Sequence, residues 1–390
     1  MPIINRIAEF HDELIAWRRE LHQHPETAFE EHRTSAFVAG KLQSLGIPVH
    51  RGLAGTGVVG TLQGARGAGP SIGLRADMDA LNMTEKNDFA HASTVPGKMH
   101  GCGHDGHMTM LLGAAKYLAE TRNFAGTVHF IFQPAEENEG GGRVMVQDGL
   151  FEKFPMESVY GMHNMPGMNV GEFAVRPGPM MAAFDIFEIK VLGEGSHAAS
   201  PHIGTDAIVA ASSMITALQT IVSRETNPME SAVVTVTQIH GGDTWNVIPE
   251  DVVIRGTARA LAPGVHDAIE PAIRRIVAGV AAAHRVTAEV RYERRYPITI
   301  NTEAEAAFTA KVAGDIFGPG KVATDKAPMM AAEDFAFMLN EKPGAYVWIG
   351  NGPGTGGCVL HNPRYDFNDD IIPMGASYWA RLVETKLAAK

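Results

Sequence analysis

The chain has 390 residues, 45% hydrophobic and 20% charged, a composition of soluble globular proteins and a length that allows two domains and a large core. A net charge of −11, with no block of like charges, argues against a nucleic-acid or anionic-membrane surface. Only Cys102 and Cys358 are present, so this is no disulfide scaffold.

A helix is predicted over residues 3–22, because Ile3, Ile7, Phe10, Leu14, Trp17 and Leu21 recur at spacings of three and four. Glu9, Asp12, Glu13 and Glu20 interrupt any apolar leader, no stretch reaches the roughly 18 uncharged apolar residues of a membrane span, and a cytoplasmic location is the default. A second helix is expected over 32–45, followed by strands over 56–63 and 71–76. Gly55-Thr-Gly-Val-Val-Gly60 matches a dinucleotide fingerprint in spelling only: Val58 and Val59 belong to a strand and no helix opens there, so turn geometry accounts for the glycines. A helix over 105–120 carries Met108, Leu111, Leu112, Ala115 and Leu118 on one face, and strands follow over 126–132 and 157–162. Strands separated by helices imply an α/β fold with a mostly parallel sheet flanked by helices, whose sites form beyond the carboxyl ends of the strands.

From about residue 184 the pattern changes. Phe187, Ile189 and Val191 alternate with Glu188 and Lys190, a half-buried strand. A helix over 205–223, strands over 231–239 and 251–259, a helix over 264–283 and a strand around Val286–Tyr292 complete a β-α-β-β-α-β order, that of a ferredoxin-like sandwich. Residues 181–295 therefore read as a domain inserted into a larger one made of 1–180 and 296–390, with hinges at Arg176-Pro-Gly-Pro179 and near Pro297. The larger domain resumes with a helix after Thr302, a strand over 345–349 and a closing helix over 372–388.

Four segments carry the chemistry. Cys102 and His104 lie two apart in the glycine-rich His100-Gly-Cys-Gly-His-Asp-Gly-His107, which leads into a helix; thiolate and imidazole both bind borderline-soft divalent cations. His107, a turn further on, reads as a metal ligand or as a supporting or surface histidine. Glu136 and Glu137 follow a buried-looking strand and Pro134, and neighbours in extended chain point to opposite sides, so one can hold a metal while the other moves a proton. His163, in Gly161-Met-His-Asn164, and His361, in Cys358-Val-Leu-His361-Asn-Pro, are each either satisfied core histidines or further ligands. Cys358 reads equally as a small buried hydrophobe.

These segments, together with Asn246-Val-Ile-Pro249 and Leu360-His-Asn-Pro363, resemble the M20 metallopeptidase family, in its aminoacylase, hippurate hydrolase and auxin-conjugate amidohydrolase branch, along nearly the whole chain. The resemblance implies a di-metal catalytic domain with an inserted lid or dimerisation domain. It makes Cys102, His104, Glu137, His163 and His361 the ligands of two divalent ions, compatible with Mn, Zn, Co or Ni, and Glu136 the general base. Where the wider family has His-x-Asp this chain has Arg75-Ala-Asp77; arginine cannot ligate, which leaves Asp77 to orient a ligand. In the insert, His197 and Asn246 are implied to reach substrate, His197 hydrogen-bonding a developing oxyanion, often from a partner subunit. Arg259 is either a clamp for a substrate carboxylate or a strand-face ion pair. The implied reaction is metal-dependent hydrolysis of N-acyl amino acids by a homodimer or higher homo-oligomer acting on small molecules, with neither nucleic acid nor membrane as partner. A dipeptidase or exopeptidase, or a non-catalytic binding protein on the same scaffold, are the alternatives.

Overall fold

The computed structural model describes residues 3–137, 139–353 and 359–389. Two compact units emerge: Met1–Met180, Ile300–Ala327 and Asp334–Lys390 form the first, and Met181–Thr299 with Pro328–Glu333 form the second.

The first unit is built on an eight-stranded mixed sheet. Its centre is four parallel neighbours, Thr127–Gln133, Ser71–Asp77, Ser158–Met165 and Gly344–Gly350, in the order Thr127–Gln133, Ser71–Asp77, Ser158–Met165, Gly344–Gly350. These strands are covered on both faces, and Val128, Phe130, Ile131 and Phe132 are all buried, as is His129 between them, with no polar-out alternation. Helices His11–Gln23, His32–Ser44, His104–Thr121 and Ile372–Lys386 pack on the sheet, and their apolar stripes share one core. Sequence patterning missed the edge strand Val49–Leu53, which pairs antiparallel with Gly57–Gln63. Its short run Val-His-Arg-Gly-Leu has no clean period of two, and a bulge falls at Gly52, whose φ of +102° needs glycine. The predicted N-terminal helix is two, Asn5–Ala8 and His11–Gln23, yet Ile7, Phe10, Leu14, Trp17 and Leu21 are all buried as the spacing requires.

Helix His11–Gln23 also buries charge. Arg18 pairs with Asp105 at 3.2 Å and with Asp366, and His22 lies 2.8 Å from Asp105 and 3.2 Å from Glu85. Burial pushes His22 down, but Asp105 and Glu85 outweigh it and hold it up at about 9. Because this folded value lies above the ordinary 6.5, the pairing is fully present below pH 6.5 and is lost as pH rises towards 9. Unfolding free energy should therefore fall by up to about 3 kcal/mol across that window. Denaturant titrations at several pH values would check it, and a His22→Gln variant that keeps the same slope would assign the loss to another group.

The second unit is a four-stranded antiparallel sheet ordered Ala232–His240, Asp251–Ala260, Ala183–Leu192, Thr287–Tyr296. Helices Ala207–Thr220 and Pro263–His284 cover one face, burying Phe187, Ile189, Val191, Ile254, Met214 and Ile273. This is the strand order of the β-α-β-β-α-β sandwich. The expectation about membrane-length segments needs one correction. Ala207–Glu225 is long and apolar enough by length and composition alone. Ala207, Ala210, Ala211, Met214, Leu218 and Ile221 of this stretch belong to the unit's core.

Candidate metal centre

The loop Gly101–Gly103 leads into helix His104–Thr121, whose first turn meets the carboxyl end of strand Ser71–Asp77: Asp77 lies 2.6 Å from His107 and 3.8 Å from His104. Gly103 has φ +92°, and a side chain there would run into Asn164 and Tyr365, so glycine is required for Cys102 and His104 to turn towards one point. Cys102 Sγ lies 3.4 Å from His163 Nε2. His163 Nδ1 is 2.7 Å from the Asn164 carbonyl, and His104 Nδ1 is 2.8 Å from the Asp79 carbonyl. A carbonyl can only accept, so both rings carry a proton on Nδ1 and turn Nε2 towards the cluster. His361, left-handed at φ +61°, is tied to this loop by its amide bonding the Gly101 carbonyl.

Strand Thr127–Gln133 ends in the turn that holds the glutamate pair. Ala135 is left-handed at φ +55°, an uncommon conformation for a residue with a side chain. Glu136 is buried, and Glu137 Oε1 lies 3.1 Å from His361 Nε2. Three sets of side chains bring one ligand atom each to within 4.8 Å of one another: Cys102, His104 and His163; Cys102, Glu137 and His361; His104, Glu136 and Glu137. Five predicted ligands and the predicted base thus come together from four chain segments.

His104 Nε2 is buried and makes no hydrogen bond among the described residues, while the buried Glu137 Oε1 meets His361 Nε2 at 3.1 Å. Uncompensated buried polar atoms are costly, and a divalent cation is the partner that imidazole, thiolate and carboxylate share. Protonation points the same way. Burial, then Glu137, Glu136 and Asp77, push the Cys102 thiol well up. Burial pushes His104 down, but Asp77, Asp79 and Glu137 outweigh it and hold it up at about 10. Burial drives His163 well down, leaving it neutral. A cation held by Cys102 and His104 would therefore displace their protons. Cys102 is 7% exposed, so its thiol does not face solvent.

Asp77, His104 and His107 form another close trio. Here, however, His107 Nδ1 is 2.6 Å from Asp77 Oδ1 and its Nε2 is 2.8 Å from Asn164 Oδ1, so neither ring nitrogen is free for a metal. Asp77 Oδ2 is taken by Arg75 at 2.7 Å. Burial raises the Asp77 carboxyl, but His104, His107 and Arg75 outweigh this and hold it well below the usual range. Arg75 also donates to Gln133 and to Asp334, both at 2.9 Å.

Sequence reasoning missed Asp79, Gln133, Asn164, Asp334 and Tyr365. Asp79 had a readable signal: Arg75, Asp77 and Asp79 put three charges at a period of two along an otherwise apolar strand and its exit, on one face.

His197, Asn246 and Arg259 belong to the second unit. His197 pairs with Val247 in a two-stranded ribbon, and the Ala198 amide donates to the Asn246 carbonyl at 2.9 Å. His197 Nδ1 accepts from the Ala199 amide at 3.0 Å, so its proton sits on Nε2 in the neutral ring. Arg259 is half-buried, donates to the Met330 carbonyl at 2.8 Å and stacks 4.5 Å over the Phe184 ring; it forms no ion pair among the described residues. Cys358 lies outside the described residues.

The profile of peptidase family M20/M25/M40 matches residues 73–385. The chain is 40% identical over 382 residues to a hippurate hydrolase of Campylobacter jejuni, covering 98% of each. It is 40% identical to an N-acetyl-L-cysteine deacetylase of Bacillus subtilis, over 94% of this chain and 86% of that one. Among solved structures, a dinuclear metal binding peptidase of the M20 family from Bacillus subtilis superposes with a TM-score of 0.85 at 32% identity, covering 98% of this chain and 100% of that one.

Proposed function

The chain belongs to peptidase family M20/M25/M40, and from that premise we propose that it is a metal-dependent amidohydrolase that splits N-acyl amino acids into a carboxylic acid and a free amino acid. The observation that carries this reading is the pair of overlapping donor trios sharing Cys102, set against adjacent glutamates of which one is left to move protons. Cys102, His104 and His163 would hold one divalent ion and Cys102, Glu137 and His361 a second, the donor set suiting Mn, Zn, Co or Ni. When bound, such ions supply Lewis acidity that acidifies a water and polarises the amide carbonyl.

The protein's own side chains do the rest. Glu136 takes the attacking water's proton and delivers it to the leaving nitrogen. Asp77, held ionised by Arg75, accepts from His107 and so steadies the helix turn that presents His104. His197, with its proton on Nε2, is proposed as the donor to the developing oxyanion, with Asn246 and Arg259 as substrate contacts. The expected homodimer would bury the fully exposed Trp245 and neighbouring Val247 of the second unit.

The test is a panel of hippurate, N-acetyl amino acids, indole-acetyl conjugates and dipeptides, each run with Mn, Zn, Co and Ni. Hydrolysis confined to dipeptides would replace this reading with a dipeptidase, and no hydrolysis with any metal would remove it. Cys102→Ala is expected to lower metal content by elemental analysis, and full occupancy in that variant would take Cys102 off the ligand set.

A further inference from the structure

Three consecutive backbone amides at the glutamate turn are held by buried carboxylates. The Ala135 amide donates to Glu31 Oε1 at 2.9 Å, the Glu136 amide to Asp79 Oδ1 at 3.0 Å and the Glu137 amide to Asp79 Oδ2 at 2.8 Å. Glu31 and Asp79 are each at most 1% exposed. The second oxygen of Glu31 accepts from the Thr56 hydroxyl at 2.7 Å, and the Asp79 carbonyl is the group that orients His104.

An amide needs some acceptor, but it does not need a charge. Two acidic side chains buried against one turn are costly unless the turn uses them. What they hold is a strained segment: Ala135 is left-handed, and the Gly141 amide closes back on its carbonyl at 2.9 Å. The directions of the Glu136 and Glu137 side chains follow from the orientation of those three peptide planes, so a rotation there would swing both carboxylates away from His104 and His361.

We infer that Asp79 is a positioning residue, which with Glu31 locks the turn so that Glu136 and Glu137 face the ligand cluster, and which through its carbonyl couples that turn to His104. This rests on the roles assigned above to the two glutamates and deepens them.

The two acids differ in what they require. Both oxygens of Asp79 face N–H donors, so Asp79→Asn turns an NH2 group against one of the amides whichever way the amide is flipped. Glu31 faces one N–H and one hydroxyl, and a hydroxyl can reverse and accept, so Glu31→Gln keeps both bonds. Burial and the Asp79 charge already push Glu31 up to about 7, so its partners tolerate a neutral group. The carboxylate-to-amide change should therefore hurt far more at 79 than at 31.

Both variants would be compared with wild type by hydrogen exchange of peptides covering 133–137, by Mn titration and by steady-state kinetics on the best substrate of the panel. For Asp79→Asn, exchange at the turn should quicken at least tenfold, Mn affinity should weaken by roughly 10–100-fold, and kcat should fall by a similar factor with KM little changed. Glu31→Gln should lose at least about tenfold less in each. If Asp79→Asn does not accumulate as folded protein, Asp79→Ser, which leaves room for a water, is measured in its place. Wild-type exchange and Mn affinity in the Asp79 variant, or equal losses in the two variants, overturn the inference. Should the wild type hydrolyse none of the panel, the amidohydrolase reading fails, while exchange and Mn binding still decide whether Asp79 locks the turn.

Discussion

Glu136→Gln is expected to keep its metals and lower kcat by roughly 10²–10⁴-fold, the range for a positioned general base. The cause is the division of labour between neighbours. Glu136 is buried and brings an oxygen within 4.8 Å of the ligand atoms of His104 and Glu137, while both donor trios that include Cys102 close without it. Glutamine preserves shape and hydrogen bonding but cannot accept the proton of an attacking water or return one to nitrogen. Elemental analysis beside steady-state kinetics separates the two roles. Turnover within a few fold of wild type would dismiss Glu136 as the base, and loss of metal in step with activity would make it a ligand instead.

Arg75→Met is expected to destabilise the fold by about 3–5 kcal/mol, the scale for removing one partner of a buried ionic network. Arg75 is 1% exposed, and its three nitrogens reach Gln133, Asp77 and Asp334. Methionine fills a similar volume but leaves two buried carboxylates without the guanidinium. Asp334 keeps the Gln133 side chain and the Gly142 amide, and Asp77 keeps His107 at 2.6 Å and, more distantly, His104 at 3.8 Å. Lysine should rescue little, because one ammonium cannot span the three acceptors that a planar fork meets at once. Urea unfolding midpoints would measure the effect, and a loss below about 1 kcal/mol would show that the carboxylates are satisfied without the arginine. Metal affinity should drop as well, since Asp77 steadies the turn bearing His104 through His107.

Period and punctuation in the chain located most elements to within two or three residues, because a helix face or a buried strand is written in neighbouring side chains. Phe187, Ile189 and Val191 all lie in the second unit's core, as their alternation required. Segments that lack a period were not legible. Val49–Leu53 exists as a strand because Gly57–Gln63 offers it an edge, and its own residues show no preference for one.

The candidate donors were legible for a similar reason. A cysteine and a histidine two apart among glycines, and two glutamates after a buried strand, are local arrangements whose chemistry can be judged without knowing what lies nearby. His107 was ambiguous because its spacing allows ligation, and only the placement of Asp77 and Asn164 on its two nitrogens decides otherwise.

What the linear chain determined by itself is the set of donors and the periodicities that deliver them to strand ends, since both depend on side-chain chemistry over a few residues. Only the tertiary structure decided which charges stand behind those donors. Asp334 meets Arg75 across 259 positions, and Glu31 meets the Ala135 amide across 104. Such pairings follow from strand order and loop closure, and a buried charge is satisfied by whatever the fold places within 3 Å of it, at any distance along the sequence.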